Sequence, residues 1–178
     1  MTAEEVYKAV KKVLPKVNPM LVISGGEPML QQGKLAEVME LFHNDLKLED
    51  LWIEIETAGT IAPTNEFDYW VDAYNVSPKL EHSGNELSLR YRPEALEALR
   101  DTGKVQGWKF VAQEPSDLDE IADLVKKHEL FPVYVMPEGK NQADLSRHSE
   151  GLVTSVIERG WRMTPRLHIQ LWGAERGR

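Results

Sequence analysis

Cysteine is absent from all 178 residues. That excludes disulfides, zinc–thiolate sites and cysteine-ligated iron–sulfur clusters within this chain. Positive charge is also in short supply: 21 Lys and Arg face 29 Asp and Glu, a formal net charge of -8. Phosphate backbones are bound by clustered positive charge, so no direct nucleic-acid partner is expected. A small basic pocket remains compatible with an acidic protein. No apolar run approaches the roughly 20 residues that cross a bilayer. The opening residues Met1-Thr2-Ala3-Glu4-Glu5 are acidic and begin a helix rather than a signal peptide. A cytoplasmic protein with no membrane partner is expected. The 5 histidines, His43, His82, His128, His148 and His168, lack paired metal-ligand spacing. No metal ligand is assigned. Gly33-Lys34 does not make a phosphate loop, because its spacing from Gly26 is wrong and Leu35 replaces the hydroxyl residue.

What is present suits a single ordinary domain over residues 1–178, with 42% hydrophobic and 28% charged residues. Thr2-Ala3-Glu4-Glu5 is a capping box, followed by Val6, Val10 and Val13 at helical spacing, and Pro15 ends the helix. Met20 to Ser24 reads as a buried strand. Leu35, Val38, Met39 and Phe42 mark one helical face. From Leu51 to Thr57 the apolar residues alternate, as in a strand, which sets Glu54 and Glu56 on one face. Glu54 is read there as solvated or paired with a cation. Tyr69 to Val76 is expected as a strand, and Pro93 opens a helix with Leu96 and Leu99. Trp108 to Ala112 is expected as a strand, Ser116-Asp117-Leu118-Asp119 as the cap of a helix carrying Ile121 and Val125, and Val133 to Met136 as a strand. Leu152, Val153, Val156 and Ile157 mark a helix ending at Gly160, and Leu167 to Trp172 is expected to close the chain as a strand.

Strands alternating with helices imply a mostly parallel α/β sheet or barrel. A helix comes first and leads directly into the Met20–Ser24 strand, whereas a right-handed βαβ unit begins with a strand. The pattern reads as a β/α barrel without its first strand, which would leave one side of Met20–Ser24 unpaired.

In parallel α/β folds ligands sit at the carboxyl ends of the strands. There the sequence places Ser24-Gly25-Gly26-Glu27-Pro28, Glu56-Thr57-Ala58-Gly59-Thr60, Val76-Ser77-Pro78-Lys79-Leu80, and Met136-Pro137-Glu138-Gly139. Two adjacent glycines let backbone approach a ligand, because neither carries a Cβ. Val22-Ile23-Ser24-Gly25-Gly26-Glu27-Pro28-Met29-Leu30-Gln31 resembles the second-strand motif of radical S-adenosylmethionine enzymes. Together with the later strand ends, Ser83-Gly84-Asn85 and His168-Ile169-Gln170-Leu171-Trp172-Gly173, it resembles the 7-carboxy-7-deazaguanine synthase family, over roughly residues 6 to 173.

The resemblance implies a partial radical-S-adenosylmethionine-type β/α barrel. It implies S-adenosylmethionine contacts at Gly25, Gly26, Glu27, Glu56, Ser77, Pro78, Lys79, Met136, Pro137, Glu138 and Gly139. Ser24 and His168 are implied on the substrate side. In the family, a four-iron four-sulfur cluster reduces S-adenosylmethionine, with magnesium assisting. 6-Carboxy-5,6,7,8-tetrahydropterin then becomes 7-carboxy-7-deazaguanine, a lyase step of queuosine and 7-deazapurine biosynthesis. A homodimer is implied as well. The family's three cluster cysteines and its magnesium-binding threonine follow its first strand, and none of them is present here. These absences agree with the missing strand. Three origins stay open: a longer gene product starting upstream of Met1, a separate polypeptide bearing the cysteines, or a cluster-free relative that binds S-adenosylmethionine, a pterin, a purine or a protein partner. The isolated chain is expected to be inactive.

Overall fold

A computed structural model of the protein describes residues 1–45, 48, 50–173 and 175. In chain order its elements are α1 (Ala3–Lys11), β1 (Met20–Ile23), α2 (Gln32–His43), β2 (Trp52–Thr57), α3 (Asn65–Trp70), β3 (Ala73–Val76), α4 (Leu87–Arg90), α5 (Pro93–Asp101), β4 (Val105–Ala112), α6 (Pro115–His128), β5 (Val133–Pro137), α7 (Gln142–Glu158), β6 (Arg162–Met163) and α8 (Leu167–Trp172). The chain divides into two compact units. One comprises Met1–Val76 with Arg92–Gln106, the other Ser77–Tyr91 with Gly107–Arg178. No helix among the described residues is long and apolar enough to cross a membrane.

In the first unit β1, β2 and β3 run parallel in that order, with Met20 opposite Trp52 and Glu54 opposite Ala73. The alternation read in β2 holds: Ile53, Ile55 and Thr57 are buried, while Trp52 and Glu56 are exposed. Ile53 and Ile55 join a core of Met39, Phe42, Phe67, Tyr74, Val76, Leu96 and Leu99. The capping box at Thr2 is formed, but α1 buries none of its residues. It is tied down instead by Tyr7, whose ring meets the Phe42 ring edge-on at 4.9 Å and whose hydroxyl donates to Asp45 at 2.7 Å. Val13 lies beyond the helix, exposed.

In the second unit β4, β5 and β6 are parallel in that order, with Trp108 opposite Val133 and Tyr134 opposite Arg162. The crossovers α6 and α7 make two βαβ units. Trp108, Phe110, Leu118, Ile121, Leu130, Val135, Leu152 and Val156 form the core.

Four expectations are corrected. The strand expected to be buried over Met20–Ser24 spans Met20–Ile23 and buries none of its residues, with Met20 and Val22 exposed. The strand expected over Tyr69–Val76 exists only as Ala73–Val76, because Tyr69 and Trp70 end α3. Thr64 caps that helix through the Phe67 amide, and Phe67 is its single buried anchor, too few apolar positions to show a helical period. The helix expected to be capped at Ser116-Asp117 starts at Pro115 instead. Proline suits the first helical position, and Asp117 reaches back to the Glu114 amide at 3.2 Å. The strand expected over Leu167–Trp172 is the helix α8. Its apolar residues are not core: Leu167, Leu171 and Trp172 are exposed and only Ile169 is buried. The strand that pairs there is Arg162–Met163, too short to carry a periodic signal.

Tyr74 supplies a pH test of the first unit's packing. Its hydroxyl donates to Asp68 Oδ1 at 3.0 Å inside the core. Burial, then the Asp68 charge and the hydrogen bond it accepts, push the phenol far above its ordinary value of 10.0. The unfolded phenol ionises first, so this contribution is complete below about pH 10 and is lost as pH rises above it, at about 1.4 kcal/mol per pH unit. Tyr74→Phe should therefore lose less stability than the wild type between pH 10 and 11.5 in urea titrations. Parallel losses would show that Tyr74 ionises freely in the folded state.

Candidate functional site

The first unit carries the glycine turn. Gly25 and Gly26 follow β1 with φ of +88° and +54°, where a side chain would be strained, and a Cβ on either would meet nothing within 4 Å. Ser24, Gly25 and Gly26 are exposed, so backbone at the end of β1 lies open. Glu27, implied as an S-adenosylmethionine contact, turns its carboxylate to the protein. Its Oε1 accepts from Thr57 Oγ1 at 2.7 Å and from the Met29 amide at 3.1 Å, and its Oε2 accepts from the Ala58 amide at 2.8 Å. The carboxylate thereby ties the exit of β1 to the exit of β2. Thr57 Oγ1 in turn accepts from the Gly59 amide at 3.1 Å. Gln32 holds the next loop: Nε2 donates to Ala62 O at 3.0 Å and Oε1 accepts from the Thr64 amide at 2.7 Å. Glu56 sits exposed on the outward face of β2. Its neighbour Glu54 accepts from Asn75 Nδ2 at 2.5 Å, an amide where a cation or solvent was expected.

The second unit carries a cavity of about 280 Å3. Pro78, Lys79, Met136 and Glu138, four residues singled out in the sequence, share its wall with His82, Ser83 and Arg166. The volume is near the lower end for small-molecule sites. The other singled-out residues of this unit stand just behind or away from it. Ser77 O accepts from Lys79 Nζ at 3.3 Å. Pro137 is buried, and so is Gly139, where a Cβ would come within 2.9 Å of the Leu145 backbone nitrogen. His168 is exposed on α8 and does not line the cavity.

The wall is braced from behind. The Glu138 amide donates to Ala112 O at 2.8 Å, and Glu138 O lies 2.6 Å from His148 Nδ1. His82 Nδ1 lies 3.1 Å from Asp117 Oδ1, while Asp117 Oδ2 accepts from the Gln113 amide at 2.7 Å and the Glu114 amide at 3.2 Å. A carboxylate so engaged keeps the imidazole ring in one orientation. His82 had no spacing signal because its partner is 35 positions away. Arg166 had none either, standing alone after Pro165. Among the described residues no group of three His, Cys, Asp or Glu is poised to hold a metal ion. With no cysteine in the sequence, the residues present do not fit a four-iron four-sulfur cluster.

No protein-family model matches the chain. Three curated relatives are each called 7-carboxy-7-deazaguanine synthase. The one from Pyrobaculum aerophilum is 30% identical over 161 residues, covering 89% of this chain and 67% of the relative. That from Halobacterium salinarum is 30% identical over 179 residues, covering 85% of this chain and 64% of the relative. That from Bacillus subtilis is 24% identical over 195 residues, covering 99% and 76%. The chain thus spans about two thirds of the first two. Among solved structures, Streptococcus suis SuiB superimposes with a TM-score of 0.62 at 14% identity, over 93% of this chain and 43% of SuiB. SuiB bound to S-adenosylmethionine gives 0.62 over 44% of that chain. The likeness carries the fold alone: a partial radical-S-adenosylmethionine-type α/β fold, spanning less than half of SuiB. The identities and coverage of the synthases carry more, and the chain belongs to the 7-carboxy-7-deazaguanine synthase family.

Proposed function

We propose that this chain forms the greater part of a 7-carboxy-7-deazaguanine synthase, a cytoplasmic lyase of 7-deazapurine biosynthesis acting on 6-carboxy-5,6,7,8-tetrahydropterin. S-Adenosylmethionine is its cofactor. The observation that carries this reading is the convergence of Pro78, Lys79, Met136 and Glu138 on one cavity. Met136 supplies apolar surface for a flat ring, and Lys79 and Glu138 supply a donor and an acceptor. In the first unit, the turn at Gly25 and Gly26 offers open backbone of its own, since neither glycine has a side chain to stand in a ligand's way. Ser24, next to that turn, and His168 are the substrate-side residues of this reading. S-Adenosylmethionine supplies the radical chemistry when a cluster is bound; the protein's share is to hold, orient and keep water out. The cluster's thiolates come from a segment outside these 178 residues. In a second reading the chain binds the nucleoside or pterin without turnover.

Calorimetry with S-adenosylhomocysteine tests the first requirement of both readings. Binding in the micromolar range is expected, and Lys79→Ala should weaken it about 10-fold, the loss of one charged hydrogen bond. Failure of the folded chain to bind would remove the ligand site altogether. Anaerobic reconstitution with iron and sulfide separates the readings. The chain alone should stay colourless and release no 5′-deoxyadenosine, while a cysteine-bearing segment restores both signals only if the chain is part of a synthase. Cleavage by the chain alone would refute the need for external thiolates.

A further inference from the structure

The cavity of the second unit has a cation on its wall that the protein leaves largely unused. A guanidinium has five N–H donors. At Arg166 one bond is made, from Nη1 to Gly139 O at 2.9 Å. Its Nε is shut away from solvent and has no acceptor. No carboxylate pairs with Arg166 among the described residues. Glu138, on the same wall, stands 4.0 Å from His148 Nδ1 instead. Three other arginines of this unit have carboxylate partners: Arg90 with Glu120 at 2.5 Å, although its Nε is likewise without an acceptor, Arg147 with Asp144 at 3.1 Å and Arg159 with Asp119 at 2.7 Å. A buried donor left unmade is costly and rare in folded proteins, and an unpaired charge more so. Arg166 is also fixed, because its bond to Gly139 O anchors it to the loop that leaves β5. Arginine's planar fork matches a carboxylate better than any other side chain does.

We infer that Arg166 is a ligand-binding residue of this cavity and takes a carboxylate, with its anchorage to Gly139 O holding the guanidinium in place for it. The inference rests on the reading of this cavity as the ligand site. Two molecules of that reading bear a carboxylate: the amino-acid end of S-adenosylmethionine, and the pterin substrate. Both present the same chemistry to Arg166.

The test is calorimetry on the full chain with two matched pairs of probes. S-Adenosylhomocysteine is set against 5′-methylthioadenosine, which lacks the carboxylate, and 6-carboxypterin against pterin. In Arg166→Met, the carboxylate-bearing member of one pair should bind about 30-fold more weakly, while its partner changes less than about 3-fold. The responding pair identifies the source of the carboxylate. Arg166→Lys should recover part of the loss, since it keeps the charge without the fork. Equal weakening within both pairs would reduce Arg166 to a structural support. Unchanged binding of every probe would remove it from the site. Either result overturns the inference and leaves the ligand site standing. A wild-type chain that binds none of the four probes overturns the ligand site and the inference together.

Discussion

Replacing Glu27 by alanine is expected to lower the unfolding free energy by about 3–4 kcal/mol, a large share of the roughly 5–15 kcal/mol that holds a typical domain together. The reason is that one carboxylate serves three donors: Thr57 Oγ1, the Ala58 amide and the Met29 amide. Two of those lie 30 and 31 positions away, on the neighbouring strand's exit. Removing the acceptor strands all three in a half-buried place, and hydrogen bonds to a charged group are worth about 1.5–3 kcal/mol each before relaxation and water recover part. Glu27→Gln keeps one acceptor oxygen and turns the other into a donor, so about 1–2 kcal/mol is expected there. Urea unfolding should show a lower midpoint with an unchanged slope. A cycle with Thr57→Val locates the effect: a coupling of about 1–2 kcal/mol is expected for groups in direct contact. Additive losses would mean that the Glu27–Thr57 bond contributes nothing, and the brace would then rest on the amides alone.

This brace bears on how the glycine turn is to be understood. Glu27 was expected as part of the cofactor contact, and the sequence could not say what its carboxylate faces. The structure turns that carboxylate toward the protein, leaving backbone at Gly25 and Gly26 as the accessible surface. Both roles are compatible: a side chain that fixes the turn determines where its amides and carbonyls point.

Elements whose apolar residues recur over a full strand or several helical turns were legible in the sequence. β2 shows its alternation because one face is buried, as Phe42 and Phe67 are, while the other carries Glu54 and Glu56. α7 shows Leu152 and Val156 because that face is core. Short elements escaped: α3 has one buried residue and β6 has two residues in all. α8 misled because Leu167, Leu171 and Trp172 look like core residues but stand exposed, so their spacing reports no packed face. The cavity was half legible. Pro78, Lys79, Met136 and Glu138 lie at or just after strand ends and share a recognisable pattern. His82 and Arg166 earn their places through partners distant in sequence, Asp117 and Gly139, and nothing local marks them.

Gly59 was read only as part of the loop after β2, and its substitution carries the other large effect. Gly59→Ala is expected to cost about 2–5 kcal/mol, from two separable causes. The first is backbone: φ is +74°, a conformation that costs an L-residue roughly 1–2 kcal/mol. The second is space. The new Cβ would stand 2.7 Å from Val76 Cγ1 and 3.0 Å from Leu96 Cδ2. Val76 and Leu96 are both buried, so neither can swing into solvent, and overpacking a closed site costs about 1–3 kcal/mol. Gly103→Ala separates the causes. Gly103 has nearly the same φ, +71°, in the same unit, but a Cβ there would meet nothing within 4 Å. It should lose only the backbone part, so the difference between the two variants measures the contact with Val76 and Leu96. Equal losses in urea unfolding would show that this corner is loose. A larger loss for Gly59→Ala would show that the end of β2 is packed closely against β3 and α5, which fixes the position of Thr57 and, through it, of Glu27 and the glycine turn.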